Sequence, residues 1–272
     1  CRRCRYDKCL AVGMVYDGLL RLRRKDEDQP ESLLDRIGRE LETNVAIRQA
    51  KELAVLRKRQ DAKRLPHPVY EIYECTTDVV VMSIQFVIQE TWALFHKIFP
   101  ALGEVPYQEQ AELFRFYLPK FTMIDSFLRT WKVWGVLDKF SMCSVTNCID
   151  LTSPDLWIGP GDGGANRSTQ VDSTVGYVRD QMAVLVPSMK RAKLTEKEVH
   201  ALFAMMLSET DMAMDVSEHL LSILDGIRNE TLRDLQRYYR EEMGLSEYST
   251  RLGNLMTISH NVRVNPSLLR IV

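Results

Sequence analysis

Between Asp78 and Phe99 the chain runs through Val79, Val80, Val81, Met82, Ile84, Phe86, Val87, Ile88, Trp92, Leu94, Phe95 and Ile98 with few charges. A helix that is apolar on nearly all sides must be covered by protein on several of them. The stretch therefore predicts a helix sandwiched inside a domain, with further layers around it. Gln85 and Gln89 interrupt it one turn apart, and as buried amides they need hydrogen-bond partners in the backbone or a ligand.

The rest of the chain supplies helices for those layers. Thr195-Glu196-Lys197-Glu198 has the form of a capping box, and Val199, Leu202, Phe203, Met206 and Leu207 follow it at helical spacing. Another helix is predicted over about 217–243, ending at Gly244, and a last over about 248–262. Ser32 to Lys63 reads as an amphipathic or long solvated helix, with Leu33, Ile37, Leu41, Val45, Ala46, Leu53 and Leu56 at spacings of mostly three to four, broken by Pro66-His67-Pro68. Residues 147–174 alone resist helix, with Ser153-Pro154 and a glycine-rich run at 159–164, and read as a loop with short strands before it. That loop contains GxGxxG at Gly159, Gly161 and Gly164. A dinucleotide site needs a strand before the motif and a helix opening at its last glycine; here Pro160 lies inside it and helices dominate both sides.

Residues 1–64 hold 17 Lys and Arg against 11 Asp and Glu, whereas 65–272 hold 19 against 26. A basic head on an acidic body suits a first segment that meets nucleic acid. The clusters at 21–25, 57–59 and 63–64 read either as a nuclear import signal or as solvated helix faces. Six cysteines without a signal peptide, and no uninterrupted apolar run of about 18 residues, point to a reducing interior and no membrane partner. The five histidines are scattered, and HExxH and GxSxG do not occur, so the sequence offers no catalytic constellation.

The chain opens on Cys1-Arg2-Arg3-Cys4-Arg5-Tyr6-Asp7-Lys8-Cys9 and continues to Gly13-Met14. Two thiolates two residues apart can share one Zn²⁺, and a closed structural site needs four ligands. This segment resembles the end of the second zinc finger of nuclear receptors. Farther on, Lys97-Ile98-Phe99-Pro100-Ala101-Leu102, then Glu109-Gln110 with Leu113-Phe114-Arg115, is similar to the signature of nuclear-receptor ligand-binding domains, in its divergent, nematode-expanded version. Arg251-Leu252-Gly253-Asn254-Leu255 resembles the family's late helix that forms the dimer face.

The resemblance implies an all-α fold, the layered helical sandwich of the ligand-binding type, preceded by a remnant of a Cys4 zinc-finger DNA-binding domain. It implies a remnant at 1–14, a basic, largely helical hinge at 15–68 and the ligand-binding domain at 69–272. Cys1 and Cys4 would ligate structural zinc, with the remaining finger cysteines upstream of residue 1. Arg2, Arg3, Arg5 and Lys8 would contact phosphates of duplex DNA. Lys97 and Arg115 would flank a groove for coregulator helices. Met82, Gln85, Phe86 and Gln89 would line a pocket for a lipophilic small molecule, with Met123 and Phe127 as lesser candidates. The whole would act in the nucleus as a homodimer or a heterodimer with another nuclear receptor. The family's groove is completed by a terminal acidic helix, and the chain stops at Leu268-Leu269-Arg270-Ile271-Val272 without an evident one. A DNA-free dimerisation module that modulates intact receptors is the competing expectation.

Overall fold

The computed structural model describes residues 31–135, 139–158, 166–209 and 216–262. The compact unit formed by residues 33–272 contains α1 (Leu33–Leu56), α2 (Thr77–Ile98), α3 (Tyr107–Trp134), α4 (Asn166–Ala192), α5 (Glu196–Ser208), α6 (Glu218–Arg237) and α7 (Ser249–Asn261). A small sheet of β1 (Arg64–Leu65), β2 (Ile72–Glu74), β3 (Phe140–Met142) and β4 (Asn147–Asp150) runs in the order β1-β2-β4-β3. β4 is parallel to β2 and forms a hairpin with β3.

The middle layer is α5. Every residue from Ala201 to Leu207 is buried, because α1, α3, α6 and α7 all pack against it. Phe203 lies with its ring centroid 4.8 Å from that of Phe121 on α3. Each such ring or aliphatic side chain removed from water contributes about 1.5–3 kcal/mol. The helix begins as its sequence specifies: the Thr195 hydroxyl accepts from the Glu198 N–H, and the Glu198 carboxylate accepts from the Thr195 N–H at 2.8 Å.

Glu198 does a second job. Its side chain is almost fully buried, and there it accepts from Arg251 at 2.6 Å and from the Tyr239 hydroxyl at 2.9 Å. Burial pushes the carboxyl up, but Arg251, the Thr195 amide and Tyr239 together hold it below the usual carboxylate range. One residue thereby starts α5 and ties it to α7 and to the π turn Tyr238–Glu242 that ends α6.

α2 covers the predicted segment but differs in placement. Val79, Ser83, Val87, Thr91, Leu94, Phe95 and Ile98 are buried, while Val81, Gln85, Gln89, Ala93 and Lys97 form an exposed stripe at spacings of four. The expectation of burial all round is thus corrected, and with it that of Gln85 and Gln89 as buried amides. More apolar residues were written into α2 than its neighbours cover. By length and mean hydropathy (1.3) α2 could span a bilayer, yet its inward face is part of the core.

Two further expectations change. α1 stops at Leu56, well before Pro66, and the chain enters β1 at Arg64. The helix is packed into the same compact unit as the rest, with Arg48 and Glu52 fully buried, so it is not a solvated connector. The stretch 147–174 begins with β4 and enters α4 at Asn166. α3 is one helix through Pro119 and closes at Gly135, whose φ of 70° favours glycine.

Candidate functional site

A cavity of about 250 Å³ lies between α2, α3, the β3–β4 hairpin and α4. Ile84, Val87 and Ile88 line it from α2; Met123, Ser126 and Phe127 stand among the α3 residues that form its floor. Met142, Cys143 and Ile149 close the hairpin side, and Tyr177 and Val178 the α4 side. The lining is mostly apolar with a few hydroxyls and one thiol, the composition of small-molecule sites. The Ser126 hydroxyl donates to the Met142 carbonyl, and Thr122 donates to the Pro119 carbonyl at 3.0 Å.

The hairpin wall is held by charge. Glu52 on α1 accepts from the Thr146 N–H at 2.9 Å, the Thr146 hydroxyl at 2.6 Å, the Asn147 amide at 3.2 Å and the Ser144 hydroxyl. Asn147 in turn accepts from Ser83 of α2 at 2.9 Å and from the Cys75 thiol at 3.6 Å. One turn before Glu52, the buried Arg48 donates to Asp125 at 3.0 Å, and Arg129 meets the same carboxylate at 2.8 Å. Burial pushes Asp125 up, but the two guanidiniums bring it down to about 2. Two positive and two negative groups thus balance behind the cavity. Of the three described thiols, Cys75 and Cys148 are buried and their pKa values raised by burial, Cys148 to about 12, while Cys143 is half-buried at the cavity.

Of Met82, Gln85, Phe86 and Gln89, the residues chiefly expected in the pocket, none is in this lining. Gln85 and Gln89 are exposed, Met82 packs on the core and Phe86 is half-buried. The reason is helical phase. Ile84 and Ile88 face the cavity, and each glutamine, one residue later, is turned by about 100° onto the exposed stripe. Met123 and Phe127, the lesser candidates, do line it. The hairpin and α4 walls lacked a periodic signal; Cys143 and Ile149 sit in short segments whose placement depends on Glu52, far away in the chain.

Lys97 and Arg115 are both exposed. The C-terminal end of α2 and the N-terminal end of α3 are joined by Trp92, 4.9 Å from Phe114 and 6.0 Å from Tyr107 between ring centroids. A His96 ring nitrogen lies 2.7 Å from the Gln110 side-chain oxygen, and Gln110 donates to the Val105 carbonyl. Glu109 accepts from the Ser217 amide at 3.1 Å and its hydroxyl at 2.7 Å, fixing the start of α6. Tyr107, three-quarters exposed, leaves an aromatic surface on this face. Cys1, Cys4, Arg2, Arg3, Arg5 and Lys8 lie outside the described residues, as do 268–272 and the glycine motif at 159–164. Among the described residues no cluster of three or more His, Cys, Asp or Glu could hold a metal.

The described residues thus form a layered helical sandwich with an apolar cavity beside a small sheet. The sequence matches the ligand-binding domain of nuclear hormone receptor over residues 67–267. The chain belongs to that family. The Ultraspiracle ligand binding domain from Drosophila melanogaster is similar over 89% of this chain and 91% of that one, at 15% identity and a TM-score of 0.49. No curated protein matches the sequence.

Proposed function

We propose that this domain binds a small lipophilic ligand in the α2–α3 cavity and receives coregulator helices beside Lys97 and Arg115. The observation that carries this reading is the apolar cavity itself, with Ile84, Ile88, Met123 and Phe127 in its walls. At about 250 Å³ it suits a compact ligand, since sites for small molecules start near 300 Å³. At the other face, the exposed Lys97 ammonium suits the C-terminal carbonyls of an amphipathic helix, and the Tyr107 ring offers it apolar surface. Family membership supports a role in the nucleus as a transcription regulator. In that role the complete protein would bind duplex DNA through zinc fingers, with Cys1 and Cys4 as zinc ligands and Arg2, Arg3, Arg5 and Lys8 on phosphates. The exposed side of α7, with Gly253, Asn254 and Met256, is the face for a homodimer or a nuclear-receptor heterodimer.

The test is thermal unfolding against a panel of lipophilic compounds, in the native chain and in Met123→Trp, which fills the cavity. A bound compound raises Tm of the native chain by mass action and loses that effect in the variant. A flat response across the panel, or equal shifts in both proteins, refutes the reading.

A further inference from the structure

A second cavity, of about 300 Å³, opens between the C-terminal half of α3, the last turns of α4 and the start of α5. Leu128, Val186, Met189, Leu194 and Val199 make it apolar, and Phe127 is a wall it shares with the first cavity. The rest of its lining is Trp131, Lys190 and Lys193, all exposed. The Lys190 ammonium sits 4.5 Å from the centroid of the Trp131 indole. Among the described residues no carboxylate belongs to the lining, so the mouth carries two positive charges over an apolar interior.

The backbone reinforces that arrangement. Lys193 adopts a φ of 47°, the left-handed region that a residue with a side chain rarely enters. Arg251 donates to its carbonyl at 3.3 Å, and its own N–H donates to Met189 at 3.1 Å. The turn at the end of α4 is therefore held by its neighbours, and it brings Lys193 to the same cavity as Lys190.

We propose that this second cavity binds a single-chain amphiphilic anion, an acyl carboxylate being the simplest, with its chain against Val186 and Met189 and its carboxylate between Lys190 and Lys193. A cation is repelled at this mouth, and a neutral chain gains no charge pairing from Lys190 and Lys193. The volume lies at the lower limit for small-molecule sites, which suits one short acyl chain and excludes a two-chain lipid. The inference does not rest on the first cavity having a ligand.

The experiment titrates the full chain with sodium decanoate and, separately, with neutral decanamide, following tryptophan emission. Decanoate is expected to change the emission of Trp131, a signal absent in Trp131→Phe. The double variant Lys190→Gln with Lys193→Gln should weaken decanoate about fivefold, the scale of two exposed charge pairs, and leave decanamide unchanged. Met123→Trp, which fills the first cavity, should leave decanoate affinity as it is. Unchanged decanoate affinity in the lysine double variant overturns the proposal. So does loss of binding in Met123→Trp, because the chain would then occupy the first cavity.

Discussion

Replacing Glu52 by alanine removes the carboxylate that ties the β3–β4 hairpin to α1. Four donors lose their acceptor together: the Thr146 amide, the hydroxyls of Thr146 and Ser144, and the Asn147 side chain. The hydroxyls can turn elsewhere, but the Thr146 N–H cannot. The charge balance fails as well. Arg48 and Arg129 now share Asp125 alone, leaving one net positive charge in a region where Arg48 is fully buried. Breaking such a buried set from one side costs about 3–5 kcal/mol, a large part of a domain's usual 5–15. Glu52→Gln keeps the shape and one acceptor and should cost less. Urea unfolding followed by circular dichroism measures the change as a shift in midpoint at constant slope. Hydrogen exchange at the Thr146 amide gives the local readout, which should lose protection. A loss below about 1 kcal/mol for Glu52→Ala would refute the assignment of this network as the hairpin's anchor.

Three more outcomes are expected. The Asp125 carboxyl, depressed to about 2, contributes stability that is fully present above its unfolded value near 3.9 and is lost as pH falls through about 2. The unfolding free energy from urea curves should therefore drop by about 2 kcal/mol over that window, and Asp125→Asn should flatten the pH dependence. Gly38→Ala gains about 1 kcal/mol of helix propensity, but its Cβ would stand 2.5 Å from the His200 ring, so a net loss of about 1–2 kcal/mol is expected; a stabilised variant contradicts the α1–α5 packing. Lys97→Ala should weaken a leucine-bearing amphipathic peptide helix by about 0.3–2 kcal/mol in a binding titration, and unchanged affinity removes Lys97 from that face.

Local rules made parts of this fold legible. The box at Thr195 to Glu198 fixes the start of α5 to the residue, because a cap needs only neighbours three positions apart. Gly244, with its φ of 67°, ended the predicted helix for the same local reason. Residues 78–99 were readable as helix, but which side faces the core was not, since Val81 is as apolar as Val79 and only tertiary packing leaves it half exposed. That ambiguity moved the pocket assignment from Ile84 and Ile88 to Gln85 and Gln89. Nothing local in the sequence marks Arg48 and Glu52 as buried, because their partners, Asp125 and residues 144–147, are distant in sequence. The same distance hid the hairpin wall of the cavity.

The most direct measurement is photo-crosslinking with a compact lipophilic compound bearing a diazirine, followed by peptide mapping of the full chain. The account predicts label on the α3 segment around Met123 and on the hairpin around Cys143, competed by excess unmodified compound. Label that is absent from both segments, or that no competitor displaces, contradicts the claim that this cavity is where a ligand is held.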